Sequence, residues 1–583
     1  MNNESYLQIP RPAIALITNH GYAGVDIPIG GAADTGGQNL YVNSLARALE
    51  QLGYKVTIFT RGGFPHFEGD RMRNEPEFLS EFIRYIFIPG GPSAFLRKED
   101  IALVLDEEID WVYRFINEES DQARCDPWRL YEFVNSHYWD AAVIAVRLIE
   151  RWRNDIAARD LSTVLSSVVP KDTIDQMNTD RHWLAVGEAP GYTLGRLLLA
   201  TVPSTGVSIM DRVRSAASRW VAVRGGNLES ETYLIDTVQL VVDEVGSHFP
   251  PDLLPILAAN TLGPAALSQC PDIDARLAAD LQLIDTHVWT PHSLGELKDS
   301  NFRNRTIETR RDLKFCERRD HERMVCSRTR AFASTSTEMA EQLWTHYRVP
   351  VSNTFYFPPC LDVERFRVYE ERELAGAYQY LSEATALPVE ELKSSTIIFE
   401  TSRMDRTKRK DVAIAAFEQV AADHPDALLI IGGGPKGEIY HALTELIDQN
   451  STLKGRVFLL GPIPDEHIGP LFSMAELYVT PSEMEGFGMS ASQAAAASTA
   501  LISSDMVPFV VNHVPDDAII CPAGDVNSFA DAIAALLDDP EDRHNRAHRL
   551  ARCVDQFNWI EAAEQFITHL REHCFRIHQG KAI

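Results

Sequence analysis

Short apolar runs alternate with helix-like patterns along most of the chain, and a polar or glycine-rich turn follows each run. Residues 13–18 form an apolar run typical of a buried parallel strand, and apolar residues then recur at helical spacing over 42–49. Residues 56–60 follow as a second strand. The turn between them, which includes Gly36 and Gly37, places bare backbone N–H groups at a helix N-terminus, where a phosphate can bind.

This alternation divides the chain into two α/β regions. It runs from residue 13 to about 151, resumes near 281, and begins again after 395 with predicted strands at 397–401, 427–431, 457–460 and 477–480. The block between the first two stretches is too long for an ordinary connection and has its own helical stripe over 234–245. The predicted units are an N-terminal domain at 1–365 with a partly helical insertion at 152–280, a charged linker at 366–395, a second domain at 396–555 and an amphipathic helix at 556–583.

Composition narrows the functional classes. A chain of 583 residues exceeds a single core, and its formal charge of −28 argues against nucleic acid or an acidic membrane as partner. Eight cysteines are scattered without a Cys-x-x-Cys pair, which indicates reduced thiols. The polar N-terminus has no signal-peptide core, and no apolar run is long enough to span a bilayer. We therefore expect a cytoplasmic protein.

Two motifs in the second region suit a nucleotide diphosphate. Arg403 and Lys408 follow a predicted strand directly, at the edge of a parallel sheet where ligands bind. Arginine and lysine can neutralise a diphosphate together, although such a turn taken alone is typical of a solvated basic loop. Glu485 then begins Glu-Gly-Phe-Gly, which opens another helix, and its carboxylate can accept hydrogen bonds from sugar hydroxyls. The ordered pair of motifs predicts a donor site.

Seven segments together resemble a known family. They read HGY…GGAADTGGQNLYV, FLRKED, NSHYWDA, TPHSLGELK, LKFCERR, SRMDRTK and SEMEGFGM, and they occur in order across both predicted domains, leaving out 152–280. This pattern resembles retaining glycosyltransferases of family 4, in the branch of sucrose-phosphate and mannosylfructose-phosphate synthases. The resemblance implies an α/β fold of the GT-B type, in which two Rossmann-like domains face a central cleft.

The resemblance also implies a reaction and its residues. A hexosyl group would pass with retention from a nucleotide sugar, of the UDP-glucose or GDP-mannose type, to a sugar phosphate such as fructose 6-phosphate. The donor phosphate would take the acceptor proton, so neither a cofactor nor a metal is expected. The implied catalytic residues are His137, Arg403, Lys408 and Glu485; donor binding adds Gly37, Phe487, Gly488, Met489 and Gln493. The acceptor phosphate would be held by Gln38, Lys98, Lys298 and Arg318.

Three departures from the family pattern bear on activity. Gln493 stands where the family has glutamate, residues 505–509 replace a glycine pair that lines the donor pocket, and Cys360 replaces a glycine after Pro359. These departures leave open a non-catalytic nucleotide-sugar sensor or scaffold. A second alternative on the same fold is a hydrolysing nucleotide-sugar epimerase, against which the predicted acceptor phosphate site argues. A metal set of His137, His287 and His292 fits no known ligand spacing. Expected partners are the two substrates, with neither nucleic acid nor stable membrane contact, and the insertion is a candidate homo-oligomer interface.

Overall fold

The computed structural model describes residues 2–28, 34–67, 69–166, 286–301, 311–434 and 436–574. The helical stripe predicted at 234–245 lies outside the described residues. In chain order, the strands are β1 Ala13–Thr18, β2 Lys55–Arg61, β3 Glu77–Phe78, β4 Ile83–Ile88, β5 Val134–His137, β6 His287–Thr290, β7 Ala331–Ser334, β8 Thr354–Tyr356, β9 Thr396–Thr401, β10 Ala427–Gly432, β11 Val457–Gly461, β12 Leu477–Thr480, β13 Ala500–Ser504 and β14 Ile519–Cys521.

The helices occupy the connections between these strands. They are α1 Asn3–Leu7, α2 Gly37–Gln51, α3 Leu105–Ala123, α4 Trp139–Ser166, α5 Gly295–Asn301, α6 Phe315–Arg328, α7 Thr337–Tyr347, α8 Ala375–Thr385, α9 Val389–Ser394, α10 Lys410–Val420, α11 Glu438–Gln449, α12 Asp465–Met474, α13 Met489–Ala496, α14 Pro508–His513, α15 Val526–Asp538, α16 Pro540–Cys553 and α17 Trp559–His569, which continues as a π-turn over Leu570–Cys574. Every residue of β1, β2, β4 and β10 is buried, because helices cover both faces of each sheet.

Two separate parallel sheets form, as the alternation predicts. The first has the order β3-β4-β2-β1-β5-β6-β7-β8, and only β3, a two-residue edge strand that the sequence pattern did not indicate, is antiparallel. The second has the order β11-β10-β9-β12-β13-β14 and is parallel throughout. Its order is that of a doubly wound dinucleotide-binding sheet, and β4 to β7 of the first sheet follow the same scheme. The predicted pair of Rossmann-like domains is therefore confirmed.

The strand order determines where a ligand can bind. In each sheet the order reverses beside the first strand, between β1 and β5 in one and between β9 and β12 in the other. Connections leave in opposite directions at that point and open a crevice outside the carboxyl ends of the strands. His137 ends β5, Arg403 follows β9, and Glu485 follows β12. Three residues distant in sequence thus stand at the two crevices.

The segments around the second sheet connect the two halves. Residues 366–395, predicted as a charged linker, contain α8 and α9, whose buried leucines (Leu381 and Leu392) join the interior of the second half. The C-terminal helix α17 returns to the first half, where Trp559 packs edge-on against Tyr41 with ring centroids 4.9 Å apart. Phe566 of α17 packs similarly against Phe133, at 6.1 Å. Aromatic contacts of this kind hold α17 against the first half.

Candidate active site

Lys408 and Glu485 meet at the carboxyl edge of the second sheet. Lys408 ends a short 3-10 turn after β9, while Glu485 lies in the loop between β12 and α13. The lysine Nζ donates to Glu485 Oε1 at 2.5 Å, and Ser482 Oγ donates to the same oxygen at 3.1 Å. Lys408 is 8% exposed. Two predicted donor residues, 77 positions apart in sequence, therefore form one charged pair at the crevice.

Arg403 stands beside this pair with its side chain in solvent. The turn that carries it is fixed by Asp405, whose Oδ1 accepts from the backbone N of Thr407 at 2.8 Å, and by Met404 N, which donates to Gly434 O at 2.8 Å. The positive charge of Arg403 acts on Asp405 in the same turn, while its side chain stays exposed. An exposed guanidinium on a fixed turn can receive an anion in a bidentate manner.

The Glu-Gly-Phe-Gly segment precedes α13 as predicted, but the ring of Phe487 packs in the protein interior. Phe487 is 5% exposed and packs against Phe557, with ring centroids 5.7 Å apart. Gly488 has a φ of 106°, and a Cβ there would lie 2.4 Å from Val507 Cγ1. Met489 begins the helix, and Gln493 lies half-buried along it. Val507, from the segment that replaces the family's glycines, therefore fills the space behind the donor loop.

The two halves approach each other at this loop. A Cβ placed on Gly37, the first residue of α2, would lie 3.0 Å from Met489 Sδ. A Cβ on Gly486 would lie 3.6 Å from the carbonyl oxygen of His292, in the TPHSLG segment. The glycine-rich turn of the first sheet and the donor loop of the second thus line one narrow cleft.

Two histidines, His137 buried and His292 half-buried, form the floor of the cleft on the N-terminal side. His137 Nδ1 lies 3.1 Å from His292 Nε2, so one of these nitrogens carries the shared proton. Burial lowers the pKa of His137 well below its usual value and that of His292 to about 3, so both rings are neutral. His137 Nε2 is buried and has no hydrogen-bond partner among the described residues. An unpaired ring nitrogen here can bond to a ligand hydroxyl.

His287, the third histidine of the candidate metal set, is buried in the core. His287 Nε2 lies 2.7 Å from Ser136 Oγ, and its Nδ1 lies 3.0 Å from Thr329 Oγ1. Both ring nitrogens are thus engaged by hydroxyl groups. Over the parts of the chain that the structure describes, no group of three or more His, Cys, Asp and Glu side chains could hold a metal ion.

The predicted acceptor cations converge on a residue that the sequence analysis did not single out. The hydroxyl of Tyr138 accepts from Lys298 Nζ at 3.0 Å and from a guanidinium N–H of Arg318. Arg318 is held in turn by Glu322 Oε1 at 2.7 Å and by the carbonyl oxygen of Ser293 at 2.6 Å. A fixed, two-sided cation site of this kind suits a phosphate group.

Lys98 reaches the same place from another loop. Its backbone N donates to Asp34 Oδ2 at 3.0 Å, and its Nζ forms an ion pair with the same carboxylate. Burial lowers the pKa of Lys98, but the charges of Tyr138 and Asp34 outweigh this and raise it. Gln38 is oriented differently, because its Nε2 donates to Thr18 Oγ1 at 3.1 Å, beside His137. Lys98 belongs to the cation cluster, whereas Gln38 lies beside the histidines.

The pKa of Tyr138 reflects the cation cluster around its hydroxyl group. Burial raises the pKa of its phenol, but the positive charges of Arg318, Lys298 and Lys98 lower that pKa to about 7. Its backbone is also unusual, with a φ of 78° for a residue that is 3% exposed. The sequence did contain a signal, because Tyr138 directly follows His137 in the NSHYWDA segment.

Comparison with known proteins agrees with this geometry. Residues 387–551 match the family described as Glycosyl transferases group 1, so the chain carries a domain of that family in its C-terminal half. Mannosylfructose-phosphate synthase of Agrobacterium fabrum is 43% identical over 141 residues, which are 24% of this chain and 27% of that protein. The aligned part thus spans about a quarter of that relative. D-inositol 3-phosphate glycosyltransferase of Corynebacterium aurimucosum is 22% identical over 92% of this chain and 90% of its own.

Superposition on solved structures identifies the fold. Sucrose-phosphate synthase from Thermosynechococcus elongatus superposes with a TM-score of 0.58 at 20% identity, covering 96% of this chain and 99% of that one. WaaG, a glycosyltransferase involved in lipopolysaccharide biosynthesis, superposes with a TM-score of 0.50 at 10% identity, over 97% and 100%. The predicted GT-B architecture is therefore confirmed. Among the described residues, no helix combines the length and the apolar character that a membrane crossing requires.

Proposed function

We propose that this GT-B protein, with its group 1 glycosyl transferase domain, moves a hexosyl group with retention from a nucleotide sugar to a phosphorylated sugar. Fructose 6-phosphate is the first candidate acceptor, and a donor of the UDP-glucose or GDP-mannose type is the first candidate donor. The observation that carries the proposal is the cluster of Lys98, Lys298 and Arg318 around the buried hydroxyl of Tyr138. In a chain of formal charge −28, such a cluster is a local site for a dianion.

The donor side supplies the groups that the chemistry needs. Arg403 and Lys408 would bind the diphosphate and stabilise the negative charge that develops on the leaving nucleotide. Binding of that diphosphate would compete with Glu485 for Lys408 and free the carboxylate for hexose hydroxyls. The neutral His137 would use its unpaired Nε2 on the same hexose. An oxygen of the donor phosphate would take the acceptor proton.

A second acceptor deserves the same test. Several relatives are named as D-inositol 3-phosphate glycosyltransferases, and one of them aligns with 92% of this chain. Both candidate acceptors are phosphate monoesters on a polyhydroxylated ring, and the cation cluster would bind either through its phosphate. The cluster also distinguishes this proposal from a hydrolysing epimerase, which needs no second phosphate site.

The deciding experiment measures nucleoside diphosphate release and product mass. Purified protein is incubated with UDP-glucose, ADP-glucose or GDP-mannose, each with fructose 6-phosphate, with D-inositol 3-phosphate or with no acceptor. Release that requires one acceptor, with a product of the summed mass, is the expected result. Equal release without acceptor would support hydrolysis or epimerisation, and binding without release would support the sensor alternative. Either outcome would overturn the transferase proposal.

The pKa of Tyr138 predicts how acceptor binding depends on pH. In the empty site the phenol has a pKa of about 7, so above that pH a phenolate neutralises the neighbouring cations. A bound phosphate dianion raises this pKa again, so binding takes up a proton and weakens as the pH rises. Between pH 7 and 8.5 we expect the acceptor KM to rise by up to about tenfold per pH unit.

The Tyr138→Phe variant tests this directly, because phenylalanine keeps the ring but cannot titrate. We expect its acceptor KM to change little over the same range, whatever its absolute value. The range stays above the second phosphate pKa of about 6, so that the acceptor remains a dianion. The donor KM of the unmodified protein, measured at each pH, is the internal control. Equal slopes in both proteins would contradict the assignment of the titration to Tyr138.

Gln493 is expected to weaken donor binding relative to a glutamate. It lies half-buried on α13, one helix turn beyond the donor loop, where its amide would accept from ribose hydroxyls. Hydrogen bonds to charged groups contribute about 1 kcal/mol more than neutral ones, so Gln493→Glu should lower the donor KM by about fivefold. Gln449→Glu, at the exposed end of α11, makes the same charge change elsewhere and should alter nothing. A higher donor KM in Gln493→Glu would show that this position does not contact the ribose.

A further inference from the structure

A buried arginine holds the loop that leads to Lys98. Arg61 ends β2 and is 2% exposed. Its Nη1 donates to the carbonyl oxygen of Ala94 at 3.1 Å, and its Nη2 donates to those of Gly90 and Pro92 at 3.1 and 2.9 Å. One guanidinium thus binds three alternate carbonyl groups of the same loop, which have no strand partner.

The loop has little freedom to rearrange around this side chain. Gly91 has a φ of 68°, and a Cβ there would lie 2.3 Å from Val104 Cγ1. A Cβ on Gly90 would lie 2.8 Å from the Cγ of Glu108. Close packing on both sides requires glycine at these positions and presses the loop against α3. The carbonyl groups that Arg61 binds are therefore held at fixed positions.

Arg61 also lies beside a buried carboxyl group. The carboxyl group of Glu108 is fully buried, with Oε1 at 3.6 Å from Arg61 Nε. Burial raises the pKa of this group to about 8, so it is largely protonated at neutral pH. Its Oε2 accepts from Asn19 Nδ2 at 2.7 Å, directly after β1. Arg61 thus belongs to β2 and contacts Glu108 of α3, which is itself bonded to Asn19 after β1. The buried guanidinium is a rigid support for the loop, because moving it would leave its charge without the carbonyl groups that satisfy it.

The far end of the loop is the acceptor lysine. Lys98 follows Ala94 by four residues and is fixed by Asp34 through both its backbone N and its Nζ. The segment from Gly90 to Lys98 is therefore anchored at both ends, by Arg61 at its start and by Asp34 at its finish. No contact between Arg61 and the cation cluster around Tyr138 is involved.

We propose that Arg61 is a positioning residue for acceptor binding, which acts by holding the loop so that Lys98 reaches the acceptor phosphate. This inference rests on the proposed function, since it takes the cluster of Lys98, Lys298 and Arg318 as the phosphate site. Arg61 touches neither substrate in this scheme. Its removal would leave Lys98 bonded to Asp34 at the end of a loop whose start is no longer fixed.

The test is a double-mutant cycle on Arg61→Gln and Lys98→Met, with the full-length protein. Affinities for fructose 6-phosphate and for inorganic phosphate are measured by calorimetry, beside those for UDP and GDP. We expect each single variant to bind the two phosphate probes about tenfold more weakly. The double variant should bind them no more weakly than Lys98→Met alone, because Arg61 acts through Lys98. Nucleotide affinity should stay within about twofold of the unmodified protein.

Two further variants separate positioning from stability. Arg84→Gln removes another buried arginine of the same sheet, located outside the cleft. Its guanidinium donates two hydrogen bonds to the carboxylate of Glu119, of 2.7 and 2.6 Å. It should lower Tm as Arg61→Gln does but leave phosphate affinity unchanged. Arg61→Lys keeps the charge beside Glu108 with fewer donors for the loop, and it should give an intermediate loss of affinity. It replaces Arg61→Gln in the cycle if the latter does not fold.

The outcomes are distinct. Additive losses in the double variant, or unaltered phosphate affinity in the Arg61 variants, would overturn the positioning role and leave the proposed function standing. Failure of the unmodified protein to bind either phosphate probe would overturn the acceptor assignment and this inference together. Equal losses in Arg84→Gln would show that the effect is merely one of stability. Coupled losses confined to the phosphate probes are the expected result.

Discussion

The Lys408→Ala variant is expected to lose about 10²–10³-fold in kcat for hexosyl transfer. Lys408 is nearly buried, and its Nζ stands at the crevice of the second sheet, paired with Glu485 at 2.5 Å. The lysine would stabilise charge that appears on the leaving diphosphate only as the glycosidic bond breaks, so its loss falls mainly on kcat. The measurement is nucleoside diphosphate release at saturating donor and acceptor.

The neighbouring Arg406 provides a matched control. It lies on the same 3-10 turn as Lys408, yet its side chain is exposed. Arg406→Ala removes one positive charge within two residues and should leave kcat within about twofold of the unmodified enzyme. If both variants lost activity equally, the effect would come from the field of the loop and not from the Lys408 contact. An unaltered kcat in Lys408→Ala would remove this residue from the catalytic assignment.

Lys298→Met should raise the acceptor KM by about 10–100-fold while the donor KM stays unchanged. Methionine keeps the apolar stem but removes the ammonium group that donates to Tyr138 at 3.0 Å. The loss of one charge-assisted bond to the acceptor phosphate accounts for this range. The same substitution removes a positive charge that lowers the pKa of Tyr138, so the pH at which acceptor binding weakens should rise above 7.

Lys314→Met is the control for this prediction. Lys314 is a half-buried lysine near the same site, and its Nζ donates to Asp100 at 2.9 Å. We expect no change in either KM. A Lys298→Met enzyme whose donor KM rises in step with its acceptor KM would indicate a general loosening of the cleft, and an unmoved pH midpoint would contradict the contact with Tyr138.

The positions of most strands could be predicted because each strand is marked by a local run of apolar residues. Parallel strands covered on both faces are continuous apolar runs, and the runs at 397–401 and 427–431 became β9 and β10 with boundaries within one residue. The two-residue strand β3 escaped prediction, since an edge strand of that length buries too little to leave a pattern. Helices α8 and α9 escaped prediction because they lie in a charged stretch. Residues 370–373 before α8 are all charged, and so is half of the short helix α9.

The candidate site could be predicted only where a residue is part of a recognisable segment. Lys408 and Glu485 were found because each follows a strand, and strands of one sheet end at one edge. Tyr138 was missed because an aromatic residue beside a strand is ordinarily part of a core. Arg61 was missed because its role depends on carbonyl groups 29 to 33 positions away, which no local pattern specifies.

The sequence by itself determined the two α/β regions, the glycine-rich turn, the basic and acidic motifs and their order along the chain. These are properties of neighbouring residues, set by backbone geometry and by which side chains avoid water. Only the tertiary structure decided which charges meet. It paired Lys408 with Glu485, gathered three cations around Tyr138 and lowered its pKa to about 7, because charges interact strongly only at short range inside a low-dielectric interior.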